Sequence, residues 1–103
     1  MNTRDGGRWF VSPSVRCKNT DDGAILLEIN EGLCCKLNVL AAQVWVTIEN
    51  SPGGITLGGV VDALETRLQI PRRQLEQDTS DWLDKLQRLG LLQQSLRQIV
   101  DSG

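Results

Sequence analysis

A chain of 103 residues, 40% hydrophobic and 23% charged, has the size of one domain, with room for one core and a shallow binding surface but not for a deep enclosed active site. It contains no His, which removes the usual general base, the neutral-pH proton switch and the commonest metal ligand, and so argues against catalysis. Eleven Lys and Arg against thirteen Asp and Glu leave a net charge of −2, the wrong sign for the basic footprint of a nucleic-acid-binding domain.

Residues 1–8 carry mixed charge and adjacent glycines without periodicity, the pattern of a frayed arm, and are too polar for a signal peptide. No apolar run approaches the roughly 20 residues that a membrane span requires. Three cysteines cannot all close in disulfides, so the chain reads as a reduced cytoplasmic protein.

From Val15 to Leu37 the period is two. Val15 and Cys17 alternate with Arg16 and Lys18; Ile25, Leu27 and Ile29 with Leu26 and Glu28; Leu33, Cys35 and Leu37 with Cys34 and Lys36. The connections 19–23 and 30–32 both end in Gly, as a tight return requires, and the pattern predicts a three-stranded antiparallel meander.

At Asn38, a good N-cap residue, the period becomes 3.6. Leu37, Ala41, Val44, Trp45 and Ile48 form the stripe of a first helix, which 50–54 terminates with Pro52, Gly53 and Gly54. Thr56 caps a second helix, with Ile55 and Val60 at hydrophobic-staple spacing and Leu57, Val60, Val61, Leu64 and Leu68 facing inward. A third helix begins at Pro71 and stops at Gly90, with Leu75, Thr79, Trp82, Leu83, Leu86 and Leu89 along one side. The tail, 93–103, continues helical spacing through Leu92, Leu96, Ile99 and Val100, the mark of a short fourth helix. The sum is an α+β domain over 9–92, a small sheet followed by three helices.

Most of the reactive-looking groups read as structural. Cys34 and Cys35 are neighbours on a strand, so their thiols point to opposite faces, with Cys35 inward and Cys34 exposed, and only Cys17 remains as a third soft ligand; no zinc site is expected. Asp21 and Asp22 lack the alternating ligands of a calcium loop, and the glycines at 53, 54, 58 and 59 lack a phosphate-loop context. No nucleophile has a visible base, and neither cofactor nor metal is implied.

The strand edges say more. The first predicted strand is blunted by Pro13, Arg16 and Lys18, whereas Leu33, Cys34, Cys35, Lys36 and Leu37 form an apolar edge with a single charge. Such an edge suits an added peptide strand, and equally a cover from the chain's own helix or from a second copy in a homodimer. On the third helix Asp78, Asp81, Trp82 and Lys85 share one side, which fits either a peptide groove or a core Trp beside a solvated charged face.

Asp22-Gly23-Ala24-Ile25-Leu26-Leu27, Leu37-Asn38 with Ala41 and Val44-Trp45, Asp78 with Trp82-Leu83 and Leu86, and Gly90-Leu91-Leu92, in this order, resemble the PqqD family over about Val15 to Leu92. The resemblance implies a winged-helix-like, non-catalytic domain that binds the leader of a ribosomally made precursor peptide and presents it to a modifying enzyme: a radical SAM enzyme, protease or cyclase, as in coenzyme PQQ and lasso-peptide pathways. It further implies that the leader adds as a strand beside the third predicted strand, pairing with Leu33, Cys34, Cys35, Lys36 and Leu37, with Leu75, Asp78, Thr79, Trp82, Lys85 and Leu86 along the opposite wall. Cys34 and Cys35 stand where aromatic residues are common in that family, and Thr79 where a β-branched hydrophobe is usual. The alternative is a winged-helix DNA-binding regulator, which predicts a basic recognition helix; the third helix instead mixes Glu76, Asp78, Asp81 and Asp84 with Arg72, Arg73, Lys85 and Arg88.

Overall fold

Residues 7–95 are described in a computed structural model of the chain. In chain order the elements are β1 (Arg8–Val11), β2 (Val15–Thr20), β3 (Gly23–Glu28), β4 (Leu33–Leu37), α1 (Val39–Glu49), α2 (Leu57–Arg67), α3 (Arg72–Arg88) and β5 (Leu92–Ser95). The meander is present as an antiparallel sheet in the order β2-β3-β4, and the helices follow it, giving the expected α+β architecture.

The helix starts follow from their caps. Asn38 Oδ1 accepts the Ala41 N–H at 2.8 Å, and Thr56 Oγ1 accepts the Gly59 N–H at 3.1 Å, each satisfying a donor that the first turn leaves orphaned. Pro71 stands just before α3, one residue outside the helix. That helix ends in a Schellman motif: Gly90 takes φ +79°, the Leu91 N–H bonds to the Leu86 carbonyl at 2.9 Å and the Gly90 N–H to the Gln87 carbonyl at 3.0 Å. The reversal sends Leu91 and Leu92 into the core, where they join Trp9, Trp45, Leu26 and Leu64.

Three features differ from the sequence expectation. A second, two-stranded sheet pairs β1 with β5, Arg8 opposite Ser95 and Val11 opposite Leu92. Arg8 therefore belongs to a strand, and Leu92–Ser95 is extended rather than helical; the rest of the arm (1–6) and of the tail (96–103) lies outside the described residues. Trp9 ties this sheet to the start of α2 by exchanging backbone bonds with Ile55, at 2.8 and 3.2 Å.

The second difference is the phase of β3. Ala24, Leu26 and Glu28 face the core, while Leu27 is 44% and Ile29 51% exposed. Glu28 can take the inward position because its carboxylate accepts from the Ser14 hydroxyl and the Glu31 N–H, and these bonds hold its pKa below the usual carboxylate value. The third is Arg72, one of the mixed charges of the third helix, to which the sequence assigned no contact. Its guanidinium reaches Asp62 and Glu65 of α2 at 2.8 Å and Glu76 at 3.3 Å, tying α2 to α3.

Candidate functional site

Among the described residues β4 is an edge strand that pairs only with β3, in the register Ala24 to Leu37, Leu26 to Cys35 and Glu28 to Leu33. Among the described residues no backbone group of Leu33–Leu37 bonds to a backbone beyond its own sheet. Since alternate residues of a strand turn their N–H and C=O groups to opposite sides, half of the polar groups of β4 face outward without a backbone partner.

Two local devices hold this edge in place. At Gly23, φ is +147° and an added Cβ would sit 1.9 Å from the Leu37 carbonyl oxygen, so only glycine lets the start of β3 lie against the end of β4. Immediately after Leu37, the Asn38 cap fixes where the strand stops and α1 begins.

Across from β4 stands α3. This helix packs most on α2 and β5, and its Trp82 shares a pocket with Lys36 and Leu37, which marks the cleft between the end of the strand and the helix. The sequence-predicted residues divide into two sets around it. Cys34, Lys36 and Lys85 are exposed and Leu33, Cys35, Asp78 and Trp82 half-buried, so these can meet a ligand directly. Leu37, Leu75, Thr79 and Leu86 are fully buried and form the floor beneath. The Thr79 hydroxyl lies in that floor without a hydrogen-bond partner among the described residues.

At one end of the cleft is a pocket of about 340 Å3 lined by Asp22, Lys36, Leu37, Asn38 and Trp82. It brings the end of β4 together with the indole, as the family resemblance implies. Asp22 and Asn38 were not among the residues expected at the site. Their signal was the strand-to-helix switch itself: the hairpin register sets Gly23 beside the Leu37–Asn38 corner, and Asp22 reaches Lys36 at 3.9 Å. Both partners of that pair are solvated, so it contributes more to local charge than to stability.

The Lys85 ammonium lies 4.9 Å from the centroid of the Trp82 ring, a cation–π contact one helical turn along α3. The indole therefore offers an apolar face bordered by Lys85 and Asp78. Burial raises the Cys35 thiol above its ordinary pKa, with the Lys85 charge pulling the other way, and burial followed by the Glu49 charge raises Cys17. Neither is poised as a thiolate nucleophile. The described residues hold no cluster of three or more His, Cys, Asp or Glu able to bind a metal, and none of their helices is long and apolar enough to cross a membrane.

The arrangement supplies main-chain donors and acceptors along one line and an amphipathic wall beside it, which is chemistry for holding an extended chain. The sequence model of one protein family, described as Coenzyme PQQ synthesis protein D (PqqD), matches residues 23–92. Among solved structures, the chain is similar to TbiB1 in complex with the TbiA(beta) leader peptide, with a TM-score of 0.71 and 25% identity over 82% of this chain and 94% of that one. It is also similar in fold to a lasso peptide synthetase B1 complexed with the leader peptide, with a TM-score of 0.69 and 21% identity over 84% of this chain and 98% of that one. No curated protein sequence matches it significantly.

Proposed function

The chain belongs to the PqqD family, and from that premise we propose that it is a non-catalytic adaptor that binds the leader of a ribosomally synthesised precursor peptide and presents it to a modifying enzyme in the cytoplasm. The observation that carries this reading is that β4 has one strand partner among the described residues and ends at a pocket that the half-buried Trp82 also lines. The leader adds as an antiparallel strand along Leu33, Cys34, Cys35, Lys36 and Leu37, with Asp78, Trp82 and Lys85 meeting its side chains and Leu75, Thr79 and Leu86 supporting them from below. Each main-chain hydrogen bond contributes about 0.5–1.5 kcal/mol net, so a handful gives useful affinity with little sequence demand, and the Trp82 pocket supplies the selectivity. The recognition domain takes in 9–92 together with Arg8 and 93–95, which complete the sheet of β1 and β5.

Delivery then rests on effective concentration. A leader held beside a radical SAM enzyme, protease or cyclase makes the encounter of core peptide and active site nearly intramolecular. The DNA-binding alternative needs a basic recognition helix, whereas Arg72 at the head of α3 is engaged by three carboxylates.

The test is a titration with a synthetic peptide spanning the leader encoded beside this gene, followed by amide NMR. Saturable binding with shifts concentrated on 33–37 and on the exposed side of α3 is expected. Absence of saturable binding, or shifts that avoid both elements, would overturn the proposal.

A further inference from the structure

The reversed phase of β3 leaves a surface that the leader cleft shares only along β4. Directly opposed residues of an antiparallel sheet share a face. The register therefore puts Arg16, Leu27 and Cys34 in one row across the sheet and Lys18, Ile25 and Lys36 in the next, both on the side turned away from the helices. Ile29 extends the apolar strip at the far end, where its N–H bonds to the Ser14 carbonyl at 2.9 Å. The strip is open to solvent, with Leu27 at 44% and Ile29 at 51% exposure.

This face is cationic although the chain as a whole is acidic. Its two rows contain three basic residues and no carboxylate. Lys36 has Asp22 at 3.9 Å, whereas Arg16 and Lys18 have no ion-pair partner among the described residues. Exposed leucine and isoleucine beside cations, two of them without an ion-pair partner among the described residues, are unfavourable in a free monomer and suit a partner that brings carboxylates around an apolar patch.

We propose that the outer face of β2-β3-β4 is the docking surface for the modifying enzyme, which meets it with an acidic, apolar-centred patch, and that a bound leader completes that surface. The inference rests on the adaptor reading above. Its geometric basis is that β4 belongs to both sites: a strand added along β4 extends the same sheet, so every second leader residue continues the rows that begin at Arg16 and Lys18. Three strands of about five residues present roughly 240 Å2, given a strand spacing of about 4.8 Å and a rise of about 3.4 Å per residue. One side of a stable protein interface needs about 800 Å2. Bare or loaded, the face supplies only part of such a contact, but a fourth strand enlarges it by about a third and adds the leader's own side chains, through which the enzyme distinguishes loaded from empty adaptor.

The test uses the full chain, the synthetic leader and the purified peptide-modifying enzyme encoded beside this gene, with leader affinity and enzyme affinity read separately. Two surface variants are compared, Leu27→Glu and the pair Arg16→Glu with Lys18→Glu; the second keeps the question open to refutation if the first unfolds. Expected is at least a tenfold gain in enzyme affinity when the leader saturates the wild-type chain. At least a tenfold loss is expected for each folded variant, with leader affinity unchanged within twofold. If leader binding is intact but the variants bind enzyme as the wild type does, or the leader leaves enzyme affinity unchanged, this inference falls and the adaptor reading stands. If the wild-type chain does not bind leader, both fall.

Discussion

β2 and β4 are the two edges of one sheet, separated only by β3, and they differ in what lies beside them. Beside the end of β4 is a pocket that Trp82 of α3 also lines, with Lys85 against the indole. Along β2 stand Arg16 and Lys18, both exposed, after Pro13 in the preceding turn. An edge offers hydrogen bonds in either case; only an edge with a side-chain wall offers selectivity as well. The comparison also explains why the clamp at Gly23 and the Asn38 cap matter, since they fix the end of β4 against α1 and so the width of the cleft.

The sharpest way to break the contrast is to remove the wall. Trp82→Ala combined with Asp78→Arg is expected to weaken leader binding roughly a hundredfold, the size of a buried aromatic hot spot, in a fluorescence polarisation titration. The β2 pair Arg16→Glu with Lys18→Glu should leave that affinity within twofold. Equal losses on the two sides would remove the distinction between edges.

Next in size is the clamp. Gly23→Ala forces a Cβ against the Leu37 carbonyl at a φ that side chains rarely adopt, at a cost of about 1–3 kcal/mol that urea denaturation will read. Smaller effects come from the leader backbone. N-methylation scanned along the peptide should weaken binding at every second position, by roughly two- to twelvefold where only one hydrogen bond of about 0.5–1.5 kcal/mol is lost. A scan without period two would exclude strand addition.

The smallest effect concerns Glu28, which joins the two sides of the sheet by bonding Ser14 before β2 and Glu31 before β4. Those hydrogen bonds lower its folded-state pKa, so its contribution is present above the ordinary glutamate value near 4.5 and is lost as pH falls through the lower folded value. Glu28→Gln should therefore be less stable than wild type at neutral pH, and the two should converge in acid when thermal unfolding is followed from pH 7 to pH 2.

Much of this organisation was legible in the sequence because its signals are local. The Gly-terminated turns gave the meander, Asn38 and Thr56 marked helix starts through contacts three residues away, and Gly90 marked a stop. β1 and β5 were not legible. Arg8–Val11 and Leu92–Ser95 are four-residue strands whose partners are more than 80 residues apart, and neither alternates clearly. The phase of β3 was misleading for a related reason: Ile25, Leu27 and Ile29 outweigh Ala24, Leu26 and Glu28 in hydrophobicity, and the Ser14 bond that helps make a buried Glu28 tolerable spans 14 residues.

The candidate site was legible in its backbone more than in its side chains. That β4 is an unblunted edge can be read from five residues. Which members of the α3 stripe form the wall and which the floor cannot, because helical spacing groups Leu75, Thr79 and Leu86 with Trp82 although only the indole reaches the surface. Burial separates them, and burial depends on α2 and β5, which cover α3 from the other side.

The most direct measurement is amide hydrogen exchange with and without the leader, resolved to single residues on both edges. The account predicts that the outward-facing amides of β4 within 33–37 slow by at least tenfold on saturation while those of β2 within 15–20 do not change. Unchanged exchange on β4, or equal protection of β2, would contradict it.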